Sequence, residues 1–378
     1  MDALTTPLPK DWEIKTFRDI STINQGLQIP ISQRLKAPTE HAKFYITIQS
    51  LNNRKEFEYI KTYNESVVCH KDDILMTRTG NTGMVITNIE GVFHNNFFKI
   101  NFDRTLINKD FLVYFLSLEQ TQKTILRKAG TSTIPDLNHN DFYSLLIPLP
   151  PLNEQIAIAN ILSDVDHYLY SLDALILKKE SVKKALSFEL LSQRKRLKGF
   201  NQAWQRVRLG DICEITTGSL DANEMVHYGK YRFYTCAKEY YFIDKYAFDT
   251  EAILISGNGA YVGYVHYYKG KFNAYQRTYV LDNFSEHIIF VKYFLTMFLQ
   301  SHIQTNRNEG NTPYIVMATL KDFEIFLPPL NEQIAIANIL SALDNEIISL
   351  KNKKRQFENI KKALNHDLMS AKIRVLKK

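Results

Sequence analysis

The chain has few cysteines, glycines and prolines for its length, and these shortages exclude several kinds of protein. Its three cysteines, Cys69, Cys213 and Cys236, are far apart and form no Cys-x-x-Cys pair or Cys/His cluster, so we expect no metal site. We interpret all three as small buried hydrophobic side chains. Fourteen glycines and eleven prolines among 378 residues are too few for a disordered or fibrous chain.

Long apolar runs and a charged-then-apolar leader are also missing, so we expect no membrane segment and a cytoplasmic protein. Hydrophobic residues make up 45% of the chain and charged residues 23%, which is typical of a globular protein of two or three domains. The formal net charge is +7. A basic excess favours a polyanionic partner because Lys and Arg neutralise phosphates, although many basic proteins bind no nucleic acid.

The motifs of DNA-modifying and DNA-cleaving enzymes do not occur either. A methyltransferase needs Asn/Asp-Pro-Pro-aromatic, but Pro150-Pro151 and Pro328-Pro329 do not follow Asn or Asp. The triplet Glu13-Ile14-Lys15 lacks a suitable upstream acidic partner for a nuclease site. The loop Gly257-Asn258-Gly259 lacks the Gly-Lys-Ser/Thr of a phosphate loop. We therefore predict no catalytic residue and no cofactor.

An internal repeat dominates what the sequence does contain. Residues 149–163 and 327–341 both read LPPLNEQIAIANILS, at an offset of 178 residues (327 − 149). The register continues without a gap to Ser192 and Ser370. A weaker repeat begins each half, where Trp12 and Trp204 are each followed seven residues later by Asp-Ile. The order is therefore variable segment, shared segment, variable segment, shared segment.

The shared segment has the pattern of a long helix. We expect Asn153 and Asn331 to be N-caps, followed by Glu154 and Glu332 at the positive end of the helix dipole. Apolar residues then recur at alternating steps of four and three, the spacing of a coiled-coil seam. They are Ile158, Leu162, Val165, Leu169, Leu172 and Ile176 in the first copy, and Ile336, Leu340, Leu343, Ile347 and Leu350, then Lys354 and Phe357, in the second. The stripe continues through Val182, Leu186 and Leu190 and through Ile360, Leu364 and Leu368.

Each helix should contain about 40 residues and extend roughly 60 Å. A lone helix of that length would expose its apolar stripe, whereas two similar copies can bury the stripe against each other. Because a folded domain separates the copies, we predict antiparallel pairing and pseudo-twofold symmetry. A coiled coil formed with another chain is the alternative, and it is compatible with the intramolecular pair.

The two variable segments share a plan but not a sequence. Residues 73–85 and 252–265 each predict a strand, a glycine-rich loop and a second strand. An amphipathic helix should follow near 109–128 and near 286–306, and then a second polar loop at 130–135 and at 310–313. We assign each segment to the α+β class, and the sequence does not reveal its strand order.

These loops carry side chains suited to DNA. Arg can pair with guanine, Asn and Gln can pair with adenine through the major groove, and Lys and Arg also contact phosphates. The candidate DNA-binding residues are Arg78, Thr79, Asn81, Lys128, Thr131, Ser132 and Thr133 in the first segment, and Asn258, Tyr261, Gln276, Arg277, Arg307, Asn311 and Thr312 in the second. Exposed loops are polar in most proteins, so the prediction is stronger for the loops as a group than for any one residue.

This combination resembles the specificity subunit of type I restriction-modification systems over nearly the whole chain. The resemblance depends on the Trp-x(6)-Asp-Ile entry, the glycine loop within Leu75–Gly83, the Thr131–Pro135 loop and the duplicated Leu-Pro-Pro-Leu-Asn-Glu-Gln-Ile-Ala. It implies two target-recognition domains that each read half of a split site in double-stranded DNA, with no catalysis by this chain. It also implies that the shared helices set the spacing and bind two methyltransferase subunits, which can recruit restriction/translocase subunits.

The resemblance places target-recognition domains at 1–148 and 201–326 and spacer helices at 149–200 and 327–378. The identical copies of Asn153, Glu154 and Gln155 and of Asn331, Glu332 and Gln333 suggest two equivalent docking surfaces, because cores usually tolerate hydrophobic exchange. Recent duplication is the other explanation of that identity. A coiled-coil adaptor that binds protein or glycan is the alternative function, and an autonomous methyltransferase or nuclease is disfavoured by the missing motifs.

Overall fold

A computed structural model describes residues 8–52, 57–306 and 313–375 and divides the chain into two compact units. Unit 1 contains residues 1–173 and 353–378, and unit 2 contains residues 174–352. Each unit therefore includes one variable segment with part of each shared helix. In the described ranges, no helix has the length and apolar character required to cross a membrane.

Unit 1 combines short strands with helices. Its elements in chain order are β1 (Glu13–Thr16), α1 (Phe17–Ile20), β2 (Ser21–Gln25), β3 (Lys43–Ile46), α2 (Ile48–Asn52), β4 (Tyr59–Ile60), β5 (Val68–Cys69), β6 (Ile74–Thr77), β7 (Val85–Ile86), β8 (Gly91–Phe93), β9 (Phe97–Phe102), α3 (Lys109–Leu116), α4 (Glu119–Ala129), α5 (His139–Tyr143), β10 (Leu146–Leu149) and the start of α6 (Leu152–Leu191). The strands form sheets of order β2-β9-β6-β7 and β4-β3-β8-β5, and β1 pairs with β10.

Unit 2 begins with the end of α6 and has one large sheet. Its further elements are β11 (Gln205–Arg208), β12 (Glu214–Thr217), β13 (Tyr231–Tyr234), β14 (Tyr241–Ile243), β15 (Phe248–Ser256), β16 (Val265–Ala274), β17 (Thr278–Asp282), α7 (Ile288–Asn306), α8 (Met317–Lys321), β18 (Glu324–Leu327) and the start of α9 (Leu330–Met369). The sheet order is β12-β17-β15-β16-β13-β14, and β11 pairs with β18.

The two variable segments have the same strand plan, and the predicted α+β class with an internal repeat is confirmed. In both units an antiparallel set, β2-β9-β6 or β12-β17-β15, contains the strand that precedes the glycine loop. In both units two strands pair in parallel, β3 with β8 or β13 with β16. A turn then leads from the second strand of each pair into the next strand, β9 or β17. Strand pairing therefore repeats although the side chains differ.

The predicted 40-residue helices are confirmed, and their pairing within each unit is antiparallel. In unit 1, Asp166 and Asp173 of α6 bind Lys361 and Lys354 of α9, with nitrogen–oxygen distances of 2.5 and 2.7 Å. In unit 2, Lys179 binds Glu346 at 2.7 Å, and Lys183 binds Asp344. Residue numbers rise along one helix as they fall along the other, which is the signature of an antiparallel pair.

Three local predictions were wrong. The helices begin at Leu152 and Leu330, so Asn153 and Asn331 lie inside the first turn rather than at the N-cap. The Pro151 carbonyl already accepts the helical hydrogen bond from the Gln155 amide at 3.0 Å, so Pro151 takes the N-cap position, where its missing N–H costs no helical hydrogen bond. The helix predicted near 109–128 is two helices, α3 and α4, interrupted at residues 117–118.

The predicted apolar stripe was also wrong at one matched pair of positions. Val182 and Ile360 are exposed, and the neighbouring Lys183 and Lys361 reach the facing helix instead. The steps of four and three lead from Ile176 to Lys183 and from Phe357 to Lys361, so Val182 and Ile360 lie one residue outside the inward-facing register. Of the cysteines only Cys69 is fully buried, and Cys213 and Cys236 are partly buried.

Candidate nucleic-acid interface

In unit 1 the structure brings the two predicted loops together. The glycine loop follows β6, and the second loop follows α4. Thr79 forms a β-bridge with Asp136, and the Leu137 amide donates to the Arg78 carbonyl at 2.8 Å. The Thr82 hydroxyl donates to the Pro135 carbonyl at 2.6 Å. The two loops therefore form one surface.

In unit 2 the glycine loop makes matching backbone contacts with the described residues 313–315. Asn258 forms a β-bridge with Tyr314, and the Ile315 amide donates to the Gly257 carbonyl at 2.9 Å. The Gly259 amide donates to the Pro313 carbonyl at 2.9 Å. Arg78 and Gly257 therefore occupy equivalent positions, as do Leu137 and Ile315.

A matched glycine and glutamine fix the end of each glycine loop. Gly83 and Gly263 have φ values of 92° and 81°, which are costly for other residues. A Cβ on Gly83 would lie 2.7 Å from Gln122, and a Cβ on Gly263 would lie 2.7 Å from Gln300. These glutamines donate to backbone carbonyls of the loops at 2.8 Å in both units. The same support therefore closes the glycine loop in both units, although the loop at 257–263 is one residue longer than the loop at 78–83.

A turn lies beside the glycine loop in each unit. The sequence analysis identified residues of this turn in unit 2 only. Residues 94–97 and 275–278 form matching turns, in which the amide of the fourth residue donates to the carbonyl of the first at 3.0 and 2.8 Å. The Arg78 amide donates to Asn96 O at 2.7 Å, and the Gly257 amide donates to Arg277 O at 2.8 Å. Asn95 and Asn96 are thus the unit 1 counterparts of the predicted residues Gln276 and Arg277.

The difference between Arg78 and Gly257 has a structural explanation. Arg78 binds Asp136 at 2.6 Å, donates to the Leu137 carbonyl at 3.4 Å and lies over the Phe98 ring. In unit 2 the counterpart of Phe98 is Tyr279, whose hydroxyl donates to the equivalent carbonyl, that of Ile315, at 3.0 Å. A Cβ at Gly257 would lie 2.8 Å from the Tyr279 ring. An arginine in one unit and a tyrosine in the other therefore satisfy the same carbonyl.

This exchange predicts that Phe98→Tyr will partly rescue Arg78→Gly. Arg78→Gly should cost about 2 kcal/mol, since it removes charge-assisted hydrogen bonds, and Phe98→Tyr in that background should recover about 1 kcal/mol. Urea unfolding of the four combinations measures the coupling. Additive changes, with no recovery, would show that the two side chains are not alternatives.

Most other candidates in the described ranges lie on the surface of their loops. Asn81, Thr131, Ser132, Thr133 and Tyr261 are exposed, and Thr79 and Asn258 are partly exposed. Lys128 donates to the Ser144 hydroxyl at 2.7 Å, away from the second loop. Lys238, which the sequence analysis missed, lies 5.1 Å from the centre of the Tyr261 ring. Arg307, Asn311 and Thr312 lie outside the described residues.

The glutamates of the repeated motif are buried in matched clamps. In unit 1, Glu154 is 2% exposed and accepts hydrogen bonds from Trp12 Nε1 at 3.0 Å and from Arg374 at 2.7 and 2.9 Å. Arg374 also binds Asp11 at 3.0 Å, and its pKa is raised by the hydrogen bonds to Glu154 and Asp11. The chain segments near its two ends are thereby joined within unit 1.

Unit 2 contains the same clamp, built from Trp204, Arg196 and Glu332. Glu332 is fully buried and accepts from Trp204 Nε1 at 3.3 Å and from Arg196 at 2.8 and 2.7 Å. Arg196 and Arg374 are separated by the repeat offset of 178 residues (374 − 196).

The glutamines of the repeat are buried as well. Gln155 donates to the carbonyls of Pro150 and Leu106 at 2.8 and 2.9 Å and accepts from the Asn108 amide. Gln333 donates to the Pro328 carbonyl at 2.9 Å and accepts from the His287 amide at 3.1 Å. Four of the six predicted docking side chains therefore fasten a variable segment to its helix, and docking by this motif stays a prediction.

A second matched contact links the helices to each variable segment. The Tyr114 hydroxyl donates to Asp166, and the Tyr293 hydroxyl donates to Asp344, at 2.8 and 2.6 Å. Lys361 binds Asp166, and Lys183 binds Asp344. Burial and the hydrogen bond to the aspartate raise the pKa of both tyrosines.

One face of the repeated helix start remains exposed in each unit. Asn153, Ile156 and Asn160 are exposed in unit 1, and their counterparts Asn331, Ile334 and Asn338 are exposed in unit 2. Ile156 and Ile334 are 42% and 36% exposed, and both belong to the stretch that is identical in the two copies. Burial within the units does not explain why these positions are identical.

Comparisons with known proteins agree with this architecture. Residues 9–179 and 201–359 each match the type I restriction modification DNA specificity domain. The chain is 25% identical over 414 aligned residues to the type I restriction enzyme MjaVIII specificity subunit of Methanocaldococcus jannaschii, covering 97% of this chain and 94% of that one. It is 38% identical over 170 residues to the EcoDI specificity subunit of Escherichia coli, a match that covers 44% of this chain and only 37% of the relative.

The fold also has a counterpart among solved structures. The S subunit of a type I restriction-modification system from M. genitalium matches with a TM-score of 0.64 at 19% identity, over 97% of this chain and 98% of that one. This likeness supports the shared fold.

Proposed function

Because the chain belongs to the type I restriction-modification DNA specificity family, with two copies of its domain, we propose that it recognises a bipartite site in double-stranded DNA and docks methyltransferase subunits. Residues 1–148 and 201–326 are the proposed target-recognition domains, and 149–200 and 327–378 are the proposed spacer helices. Restriction/translocase subunits would join through the methyltransferase. The chain itself would supply recognition rather than catalysis.

One observation supports DNA reading most directly. The glycine loop and the neighbouring turn keep matched backbone contacts in both units, yet most of their side chains differ. Proteins that read different sequences with one scaffold need a constant backbone and variable side chains. Base edges in the major groove supply the donors and acceptors that such side chains distinguish.

A salt titration separates this function from a protein- or glycan-binding adaptor. The full chain, with its methyltransferase partner, is titrated with a labelled duplex that contains the modified site and with a scrambled duplex of equal length. We expect affinity to fall steeply with salt for both duplexes, because phosphate contacts release counterions. The site duplex should bind at least about 10³-fold more tightly. Equal affinity for both duplexes, or no dependence on salt, would contradict the proposal and favour the adaptor.

The exposed faces around Ile156 in unit 1 and around Ile334 in unit 2 are the two proposed docking surfaces. A symmetric pair of identical partners requires two identical patches, and here exposed residues remain identical where burial does not demand it. The patch combines an isoleucine with two asparagines at helical spacing, which suits an apolar contact with a polar rim.

The double variant Ile156→Asp/Ile334→Asp should weaken methyltransferase assembly at least about tenfold, because each charge would be buried in an apolar contact. Leu177→Asp is the matched control. Leu177 is 64% exposed on the same helix, but its repeat counterpart is Arg355, so it lies outside the duplicated patch. Analytical ultracentrifugation measures assembly. Equal loss in the control, or none in the double variant, would contradict this docking surface.

A further inference from the structure

The turns at residues 94–97 and 275–278 hold two side chains in equivalent positions. Each turn follows a strand that pairs in parallel with β3 or β13, and each leads directly into β9 or β17. The third residue of the turn is Asn96 in unit 1 and Arg277 in unit 2.

Backbone contacts on both sides fix the two turns. On one side the carbonyls of Asn96 and Arg277 accept from the glycine loops at 2.7 and 2.8 Å. On the other side the amides of Gly26 and Gly218 donate to the residue that ends each turn, Phe97 or Thr278, at 3.2 Å in both units. A Cβ on either glycine would lie within 2.2 Å of the backbone oxygen of the residue just before the turn, Phe93 or Ala274. The backbone at Asn96 and Arg277 is therefore held in one place.

The side chains at these two positions have no hydrogen-bond partner in the part of the chain that the structure describes. Among the described residues, neither the Asn96 carboxamide nor the Arg277 guanidinium forms a hydrogen bond, an ion pair or a ring contact. Arg277 is exposed and Asn96 is partly exposed. Arg78, in the adjacent loop, is engaged by Asp136 and is only 17% exposed in its side chain. The Asn96 carboxamide and the Arg277 guanidinium are therefore available on this surface, whereas the Arg78 guanidinium is not.

Turn formation alone does not explain these residues. Asparagine is common in turns, but arginine has no such preference. Each of these positions has a constant backbone and an unengaged side chain, and the residue differs between the units. Such a position is suited to contact something that also differs between the units. Under the proposed function that object is the half-site.

We infer that Asn96 and Arg277 are matched base-reading residues of the two target-recognition domains, with Asn96 directed to an adenine and Arg277 to a guanine. The carboxamide of asparagine pairs with the N6 and N7 edge of adenine, and the guanidinium pairs with O6 and N7 of guanine. The inference rests on the proposed DNA-recognition function and adds to it the side chains and bases.

Single-base mapping of all modified sites in cells that contain this chain and its methyltransferase partner tests the inference. Asn96→Ala should reduce base preference roughly 10- to 100-fold at one A·T pair of one half-site, and Arg277→Ala should do the same at one G·C pair of the other half-site. The exchanges Asn96→Arg and Arg277→Asn should move preference toward guanine and adenine at those pairs. A gain of new sites cannot come from a misfolded protein. Arg206→Ala, an exposed arginine paired with Glu324, is the matched control and should leave the motif unchanged.

The outcomes distinguish this inference from the function on which it rests. If the wild-type complex modifies no bipartite motif, the proposed function itself fails. If the wild type modifies a bipartite motif but both alanine variants keep every base preference, the inference fails alone. Changes that fall in the same half-site, or loss of all modification without relaxed preference at one pair, would also overturn it.

Discussion

Arg196→Ala should destabilise unit 2 by about 3–5 kcal/mol, because it leaves the buried Glu332 carboxylate without its charged partner. The arginine binds both oxygens of a carboxylate that is fully buried, and only the Trp204 ring nitrogen would remain as a side-chain donor. Urea unfolding measures the loss of stability. Hydrogen exchange of unit 2 peptides shows whether the loss is located there.

Arg206→Ala and a double variant are the controls for this prediction. Arg206 also pairs with a glutamate, Glu324, but both side chains are exposed, so its loss should cost about 0–1 kcal/mol. Adding Glu332→Gln to Arg196→Ala should restore part of the stability, because the uncompensated charge is removed. Equal effects of the Arg196 and Arg206 variants would contradict a buried clamp.

Gly218→Ala should destabilise unit 2 by about 3 kcal/mol and abolish recognition of one half-site. Its Cβ would lie 1.9 Å from the Ala274 carbonyl oxygen and 2.7 Å from that of Tyr275, and both atoms belong to the backbone that begins the turn. The turn would have to move away, and Arg277 with it. Mapping of modified sites should then show that only the other half-site is still read.

Gly199→Ala is the control that separates the steric cost of an added Cβ from the conformational cost of a left-handed backbone. Gly199 has a φ of 92°, but a Cβ there would meet no heavy atom within 4 Å, so only the left-handed backbone is penalised, by about 1–2 kcal/mol. The variant should keep both half-sites. A Gly218 variant that behaves like the Gly199 variant would show that the turn does not depend on this close approach.

The sequence predicted the long helices well because their signal is local. A stripe at steps of four and three and an exact duplicate fixed their existence and length. Their ends were missed because Pro151 and Pro329, rather than the asparagines, precede the first turn. The strand order was not predictable, because pairing such as β12 with β17 joins residues that are distant in the chain.

The clamps were missed for the same reason, although the sequence held a signal. Arg196 and Arg374 keep the repeat offset beyond the last identical serine, and Trp12 and Trp204 recur at the start of each half. Repeated charged and aromatic residues outside the identical block could have indicated a shared contact. No comparable signal connects Asn96 with Arg277, because only the backbone of the turn is shared.

The central claim is that each unit reads its half-site independently, and replacing residues 203–326 with the matching segment of a relative tests it most directly. Modified sites are mapped in cells that contain the wild-type chain or the chimera with the same methyltransferase partner. We predict a bipartite motif in which one half is unchanged and the other half becomes that of the donor segment. A chimera that alters both halves, or leaves both unchanged while still modifying DNA, would contradict independent readers.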